Sequence, residues 1–191
     1  MDRLILASSS PYRASMLKRL GIPFDQVSPE IDESPLDAEL PHDLAIRLAV
    51  HKAQAVAAAH PDCTIIGSDQ VAVYQGHLIG KPGNRETAIQ NLLRYSGGCV
   101  HFLTAVAVMS RDNEIGHALV ETTAEFRQLN EAEIARYVDI DKPFGCAGSF
   151  RAEALGISLF ESVFSQDPTA IVGLPLIETA RLLRKAGYSL P

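Results

Sequence analysis

LILASSSPYR, residues Leu4–Arg13, joins an apolar run to a polar turn rich in serine. The apolar part, Leu4–Ala7, predicts a short buried strand. Ser10 suits the N-cap position and Pro11 the first helical position, so we expect a helix from there to about Leu20. A strand that leads directly into a helix is typical of α/β proteins.

This turn also has the chemistry of an anion site. A helix N-terminus exposes backbone N–H groups and carries about half a positive charge. Ser8 and Ser10 add hydroxyl donors, and Arg13, one turn into the helix, can reach a phosphate with its guanidinium group. The alternative interpretation is structural: Ser10 only caps the helix, and Arg13 is a solvated side chain.

Strand and helix patterns alternate further along the chain, with a hairpin in the middle. The predicted class is therefore α/β with a mixed sheet, in two lobes formed by the ends and by the middle of the chain. Strands are predicted over 22–29, 63–74 (interrupted at Gly-Ser-Asp-Gln), 99–109, 117–129 and 156–164, and helices over 43–60, 84–95, 130–138 and 174–186.

Composition excludes several classes of protein. With 47% hydrophobic and 21% charged residues, the chain has the composition of a soluble globular protein. Its net charge of −6 argues against a nucleic-acid-binding protein or one that binds anionic membranes. No apolar run has the length of a signal peptide or a membrane span. Three widely spaced cysteines, Cys63, Cys99 and Cys146, favour reduced thiols and a cytoplasmic location.

A carboxylate follows the apolar residues of IIGSDQV, residues 65–71. We expect Asp69 at the carboxyl end of a strand, where α/β proteins place reactive groups. The alternative is an aspartate that forms a turn by bonding nearby backbone.

Other charged residues complete a candidate set for phosphate chemistry. Glu30, Asp32 and Glu33 lie in a proline-broken acidic loop and, with Asp69, offer oxygen ligands for Mg²⁺; a solvated loop is the alternative. Lys52 lies in a predicted helix and Lys81 in the sequence IGKP. Either lysine could bind phosphate, and the alternative for both is an ordinary surface lysine. Such a set fits hydrolysis of a phosphoanhydride, where positioning and charge stabilisation dominate catalysis. The GxxxxGK[ST] pattern of P-loop proteins is absent.

Several motifs in register resemble those of Maf-type nucleoside triphosphate pyrophosphatases. They run over nearly the whole chain and read LILASSSPYRASMLKRLGIPF, PEIDES, HKAQAV, IIGSDQVAV, GKP, CAGSFRAEALG and DPTAIVGLPL. The sequences GSDQV and CAGSFRAEALG are similar to the subfamily that hydrolyses 7-methyl-GTP. They differ from the ADTV sequence and the GAYAIQG-type loop of the dTTP/UTP branch.

The resemblance implies a fold, a reaction and roles for single residues. It implies one Maf-like domain over 1–191 with an elongated mixed-sheet, ITPase-like fold, in which two lobes flank a cleft. The implied reaction is metal-dependent cleavage of a nucleoside triphosphate into a nucleoside monophosphate and diphosphate. The implied roles are proton acceptor for Asp69, substrate preference for Tyr12, Gln70 and Glu153, phosphate binding for Ser8, Ser10, Arg13, Lys52 and Lys81, and Mg²⁺ or Mn²⁺ binding for Glu30, Glu33 and Asp69.

The substrate preference also has a chemical basis in these side chains. Glu153 can accept hydrogen bonds from the Watson–Crick N–H groups of guanine. Methylation at N7 makes the base a cation, which favours a nearby carboxylate and an aromatic face such as Tyr12. In one position the chain departs from the subfamily that it resembles: Tyr12 stands where tryptophan is typical of that subfamily.

The expected role is a cytoplasmic house-cleaning enzyme that acts on a small nucleotide. Neither nucleic acid nor membrane is an expected partner, and the resemblance implies a homodimer. Two alternatives stay open at this stage: a dTTP/UTP pyrophosphatase of the same family, and a non-catalytic nucleotide-binding regulator of cell division.

Overall fold

Strands and helices alternate through the chain in a computed structural model that describes residues 3–191. This range contains seven strands and five α-helices, together with three short 3-10 helices. The strands are β1 (Arg3–Ala7), β2 (Asp25–Val27), β3 (Cys63–Tyr74), β4 (His77–Ile79), β5 (Cys99–Met109), β6 (Ile115–Phe126) and β7 (Phe160–Ser165). The α-helices are α1 (Pro11–Lys18), α2 (Pro41–Ala57), α3 (Arg85–Tyr95), α4 (Glu131–Asp141) and α5 (Leu176–Lys185), and the 3-10 helices are Ala147–Ser149, Leu155–Leu159 and Ala170–Val172.

The seven strands form one mixed sheet in the order β2-β1-β3-β5-β6-β7, with β4 paired to β3. β1 pairs in parallel with both β2 and β3, whereas β3–β4 and β6–β7 are antiparallel. The predicted mixed α/β class is therefore confirmed. In the register of β1 and β3, Ala7 lies opposite Gly67, so the serine-rich turn that follows β1 begins beside the Gly67–Asp69 segment.

The chain divides into two compact units. Unit 1 holds the described residues up to Gln70, together with Thr104–Val120 and Asp167–Pro191. Unit 2 holds Val71–Leu103 and Glu121–Gln166. The expectation of a single two-lobed Maf-like domain stays a prediction.

Each unit has its own apolar core. In unit 1, β1 is buried on both faces, as is typical of a strand between two parallel neighbours with helices packed against it. The central residues of this core are Leu4, Leu6, Leu17, Ile66, Val106, Leu174 and Leu183. In unit 2, aromatic rings pack edge to face, with centroids 4.8 to 5.9 Å apart among Phe102, Phe126, Phe150 and Phe160.

Most predicted elements are present with shifted ends. The helix predicted over 43–60 is α2, and its start at Pro41 agrees with the preference of proline for the first helical turn. Two predictions are wrong. β3 runs through Gly-Ser-Asp-Gln without interruption, and the strand predicted over 156–164 begins only at Phe160 because Leu155–Leu159 form a 3-10 helix.

Candidate active site

The approach of α2 to β3 sets the geometry of the site in unit 1. A Cβ atom on Gly67 would lie 2.1 Å from the carbonyl oxygen of Ala49 and 2.7 Å from the backbone nitrogen of Ala53. Only glycine therefore allows this approach of helix to strand. The contact brings the turn of α2 between Ala49 and Ala53, which carries Lys52, onto the face of β3 that carries Asp69.

Lys52 is a buried cation that binds two carboxylates. Its Nζ lies 2.6 Å from Asp69 Oδ1 and 2.6 Å from Glu33 Oε1. The Lys52 and Asp69 side chains are 6% and 10% exposed, whereas that of Glu33 is 53% exposed. Burial of two charges is costly unless they are paired with good geometry, so this pair marks a site rather than a solvated surface.

The position of Asp69 corrects the expectation from sequence. Asp69 lies within β3, where it is buried, and not at the carboxyl end of a strand or in a turn. The apparent interruption arose because Gly-Ser-Asp-Gln is a typical turn composition. In the structure these four residues have packing roles within the strand. Gly67 lets α2 approach, and the polar side chains that follow it form hydrogen bonds on the two faces of β3.

The serine-rich turn is held by its own hydroxyl oxygens. Ser10 Oγ accepts from the backbone N–H of Arg13 at 3.3 Å, which confirms Ser10 as the N-cap of α1. Ser8 Oγ accepts from the backbone N–H of Ser10 at 3.1 Å and from Arg13 Nη1 at 3.4 Å. Within residues 3–191, neither serine hydroxyl donates to a protein acceptor, so both O–H groups are available to a ligand.

Arg13 is an anchored side chain, and the alternative of a solvated arginine is wrong. Its Nε donates to the carbonyl oxygen of Gly173 at 2.9 Å. Burial lowers the pKa of Arg13, while the negative charges of Asp69 and Glu33 act in the opposite direction. Arginine stays protonated in proteins, so the site keeps a fixed positive charge beside the serine hydroxyls.

Gln70 faces away from Asp69, because neighbouring residues of a strand point to opposite faces. Its Nε2 donates to Thr104 Oγ1 at 3.0 Å and to the carbonyl oxygens of Ala170 and Ile171 at 2.9 and 3.2 Å. These bonds use the donors of the amide. Its Oε1 has no hydrogen-bond partner in the part of the chain that the structure describes.

The acidic loop holds its carboxylates in different ways. Glu30 is exposed, and Asp32 Oδ1 accepts from the backbone N–H of Ser34 at 2.9 Å. Hydrogen bonds from Ser34 lower the pKa of Asp32. At the end of the loop, Arg47 and Glu39 form a bidentate pair: Arg47 Nε donates to Glu39 Oε1 at 2.6 Å and Nη2 donates to Oε2 at 2.8 Å. These hydrogen bonds lower the pKa of Glu39 to about 2. Of the predicted metal ligands, the structure therefore shows two in contact with Lys52: Glu33 and Asp69.

The donors in unit 1 suit a divalent cation only in part. Glu33 and Asp69 converge on one ammonium group, so two carboxylates lie close together. Among residues 3–191, no group of three or more histidine, cysteine, aspartate or glutamate side chains could hold a metal ion. Mg²⁺ commonly takes one or two carboxylates plus substrate phosphates. The residues therefore fit a cation that arrives with a phosphate ligand.

Two predicted site residues belong to unit 2. Lys81 is exposed and follows β4, next to the buried Pro82. Glu153 Oε1 accepts from Arg151 Nε at 3.0 Å, and the backbone N–H of Arg151 donates to the hydroxyl of Tyr137 at 2.9 Å. The loop that carries Glu153 is thus tied to α4.

The structure also shows site residues that sequence reasoning missed. Gln26 donates to the carbonyl oxygen of Ser8 at 2.7 Å and so fixes the serine-rich turn from β2. Gly173 supplies the carbonyl that holds Arg13, and Gly67 admits α2. A glycine directly before the polar residues of an apolar strand was the signal available for Gly67. Tyr12, the second residue of α1, is half-buried.

Comparison with solved structures defines the class of fold. A HAM1 protein from Coxiella burnetii matches with a TM-score of 0.51 at 16% identity, over 97% of this chain and 100% of that chain. The likeness shows that the two chains share a mixed α/β fold. The mixed-sheet α/β fold expected from the sequence is confirmed.

Sequence comparison then gives the family. The family described as Maf-like protein matches residues 3–186, and this chain belongs to it. Curated relatives named 7-methyl-GTP pyrophosphatase are similar over the full length. One from Xanthomonas oryzae pv. oryzae is 53% identical over 191 residues, all of both chains. Those from Aromatoleum aromaticum and Pseudomonas aeruginosa are 50% and 48% identical, over 100% of this chain and at least 98% of theirs. The resemblance found from the motifs is confirmed.

Proposed function

We propose that this protein is a nucleoside triphosphate pyrophosphatase that hydrolyses 7-methyl-GTP to 7-methyl-GMP and diphosphate. The observation that carries the reaction is the cluster in unit 1, where Lys52 joins Asp69 and Glu33 and where Arg13 and the serine hydroxyls offer an anion site. The substrate is supported by full-length relatives at about 50% identity that are named for it.

Asp69 is the proposed proton acceptor. Lys52 binds Oδ1 and stabilises its negative charge, whereas Oδ2 has no hydrogen-bond partner within residues 3–191. Oδ2 is therefore the oxygen that takes a proton from water as the water oxygen bonds to the α-phosphorus. The bond from the α-phosphorus to the bridging oxygen breaks, and its electrons leave with diphosphate.

Cations and hydroxyls would hold the triphosphate. The proposed phosphate ligands are Ser8, Ser10 and Arg13 in unit 1, together with Lys52 and, from unit 2, Lys81. An ammonium group has three donors, so Lys52 can bind a phosphate oxygen while it holds both carboxylates. This arrangement would orient the substrate and offset the negative charge that grows in the transition state.

Mg²⁺ or Mn²⁺ is the proposed cofactor, with Glu33 and Asp69 as its ligands beside the substrate phosphates and Glu30 as a further candidate. When bound, such an ion supplies positive charge to the phosphate oxygens. Tyr12, Gln70 and Glu153 are the residues we propose to set base preference. For Gln70, the amide oxygen is the atom available to a ligand.

The cellular setting belongs to the same proposal: a cytoplasmic house-cleaning enzyme that acts as a homodimer and binds no nucleic acid. Among the helices that the structure describes, none combines the length and apolar character needed to cross a bilayer.

A nucleotide panel tests the proposal. The purified protein is incubated with 7-methyl-GTP, GTP, dTTP or UTP and with Mg²⁺ or Mn²⁺, and released diphosphate is measured. We expect kcat/KM for 7-methyl-GTP to exceed that for dTTP and UTP by roughly tenfold or more, and EDTA to abolish turnover. Preference for dTTP or UTP would contradict the substrate assignment. Nucleotide binding without diphosphate release in a single-turnover experiment would favour the regulator.

A further inference from the structure

Two buried polar side chains that the proposed mechanism does not use lie shortly before α5. Asp167 is 1% exposed and Thr169 is 9% exposed. Asp167 Oδ1 accepts from the backbone N–H of Thr169 at 3.0 Å, and Oδ2 accepts from the backbone N–H of Ile177 at 2.6 Å. A buried carboxylate is costly unless it is hydrogen-bonded, so this one indicates a segment whose backbone is held firmly.

The hydroxyl of Thr169 lies at the centre of this network. It is 2.6 Å from Asp167 Oδ1 and 2.9 Å from the carbonyl oxygen of Leu174, and it accepts from the backbone N–H of Leu176 at 2.8 Å. A hydroxyl donates one hydrogen, and the nearer carboxylate is the stronger acceptor. Thr169 therefore ties the start of the segment 169–176 to its end.

The carbonyl group of Gly173, the last before Leu174, holds Arg13 and its neighbour Ser68. Gly173 O accepts from Arg13 Nε at 2.9 Å and from Ser68 Oγ at 3.1 Å. Gly173 has a φ of 111°, a left-handed backbone conformation that favours glycine. The direction of the Gly173 carbonyl thus depends on the conformation of the segment 169–176, and the hydrogen bonds of Thr169 join the two ends of that segment.

The first carbonyl groups of the segment hold Gln70. Ala170 O accepts from Gln70 Nε2 at 2.9 Å, and Ile171 O does so at 3.2 Å. One short segment therefore contacts both an arginine proposed to bind phosphate and a glutamine proposed to set base preference. All of these residues belong to unit 1.

We infer that Thr169, supported by Asp167, is a positioning residue for substrate binding: it fixes the carbonyl groups that orient Arg13 and Gln70. Arg13 donates from Nε to Gly173 and from Nη1 to Ser8, and its other Nη hydrogens remain for phosphate oxygens. The Nε hydrogen bond fixes the plane of the guanidinium group. The inference rests on the proposed function, because it assigns Arg13 to the substrate's phosphates.

Thr169→Val tests the inference, since it keeps the branched shape and removes only the hydroxyl. We expect KM for 7-methyl-GTP to rise roughly tenfold with a smaller change in kcat, because Arg13 binds the ground state as well as the transition state. The affinity for diphosphate alone, measured by titration calorimetry, should fall by a similar factor. Thr169→Ser keeps the hydroxyl and should restore both values.

Thr179→Val is the matched control. Thr179 is also buried in unit 1 and donates to the carbonyl oxygen of Pro175 at 2.7 Å, but in the described part of the chain it forms no side-chain hydrogen bond with residues 170–173. Loss of the Thr179 hydroxyl should lower the melting temperature without raising KM for 7-methyl-GTP. Equal KM values in wild type and Thr169→Val would overturn the inference, as would a rise in KM that Thr179→Val reproduces.

A double-mutant cycle with Arg13→Ala shows whether Thr169 acts through Arg13. If it does, Thr169→Val weakens diphosphate binding much less in the Arg13→Ala background than in wild type. Fully additive losses would overturn the inference.

If Thr169→Val does not fold, Asp167→Asn is measured in the same way. An increase in KM would support the inference, and a KM equal to that of wild type would overturn it. A wild-type protein that releases no diphosphate from any nucleotide contradicts the proposed function instead, and the calorimetric cycle still decides whether Thr169 positions Arg13.

Discussion

Lys52 and Asp69 form a buried ion pair at the centre of the proposed site. Each charge lies away from water, and each stabilises the other across 2.6 Å. The second partner of Lys52, Glu33, is mostly exposed. A ligand can therefore displace or recruit the Glu33 carboxylate at lower cost than that of Asp69, because an exposed carboxylate is already largely solvated.

Asp69→Asn tests the proposed proton acceptor. The amide keeps the shape of the side chain but cannot accept a proton from the attacking water, so we expect kcat to fall by about a hundredfold or more while KM changes little. Steady-state kinetics with 7-methyl-GTP measure both. Asp37→Asn, in the exposed acidic loop, is the control and should behave as wild type. Normal turnover by Asp69→Asn would remove this residue from the mechanism.

Glu153→Gln tests the proposed base preference. Glutamine keeps an acceptor for Arg151 Nε but loses the negative charge that favours a cationic base. We expect kcat/KM for 7-methyl-GTP to fall roughly tenfold, and that for dTTP and UTP to fall less. The same preparation assayed on all three nucleotides provides the control. An equal loss on all three would show that Glu153 does not read the base.

At the scale of elements, the contact of α2 with β3 is decisive for the site. Gly67 lets the helix backbone approach the strand, and the approach brings Lys52 to Asp69. The polar side chains of β3 then divide between two faces. Asp69 faces α2, while Ser68 and Gln70 bond to carbonyl groups of the segment before α5.

Gly67→Ala should therefore disrupt both stability and activity. The new methyl group would meet backbone atoms at 2.1 and 2.7 Å, so α2 must move away from β3. We expect a loss of about 3 kcal/mol in the free energy of unfolding, or roughly 6 to 12 °C in melting temperature. Thermal melts and diphosphate release measure the two effects. Gly145→Ala is the control, since no atom lies within 4 Å of its added Cβ; equal melting temperatures for the two variants would contradict the packing argument.

At the scale of the whole molecule, the residues proposed to bind the substrate belong to both units. Unit 1 brings together the serine hydroxyls, Arg13, Lys52, Glu33 and Asp69, whereas Lys81 and Glu153 belong to unit 2. Each unit has its own core, aliphatic in unit 1 and aromatic in unit 2. Our proposal accordingly assigns proton transfer to unit 1 and recognition of the guanine edge to Glu153 in unit 2.

Stability should fall in acid because folded carboxylates bind protons less readily than unfolded ones. Hydrogen bonds from Arg47 lower the pKa of Glu39 to about 2, and hydrogen bonds from Arg85 lower the pKa of Asp139. A lowered folded pKa contributes stability above the ordinary pKa of the group, and this stability is lost as the pH falls from about 4 to about 2.

Urea unfolding of Glu39→Gln checks this sign. The variant should have a lower midpoint than wild type at about pH 7. The difference should shrink as the pH falls from about 4 to about 2, because Glu39 of wild type becomes protonated first in the unfolded chain and then in the folded protein. Glu161→Gln, an exposed position on β7, is the control and should show a small difference at both pH values. A difference that grows in acid would contradict the assigned cause.

Features that depend on neighbouring residues follow from the local sequence, and the N-cap predicted at Ser10 is confirmed. Ser10 caps α1, Asn130 and Glu133 form the capping box of α4, and Gln75-Gly76 forms a turn with positive φ at both residues. Each of these bonds or conformations involves residues within a few positions, so local sequence contains the whole cause. The motifs that identify the family are equally local and lie in register along the chain.

Tertiary structure alone settled the surroundings of the charged residues. Arg13 is held by a carbonyl 160 positions away, and Asp69 lies inside a strand because a helix packs on the glycine two residues before it. Packing overrode the turn propensity of Gly-Ser-Asp-Gln, since the free energy of burying two elements exceeds a local preference. Which charges meet, and which backbone carbonyls orient them, depends on contacts between distant segments, and such contacts exist only in the folded chain.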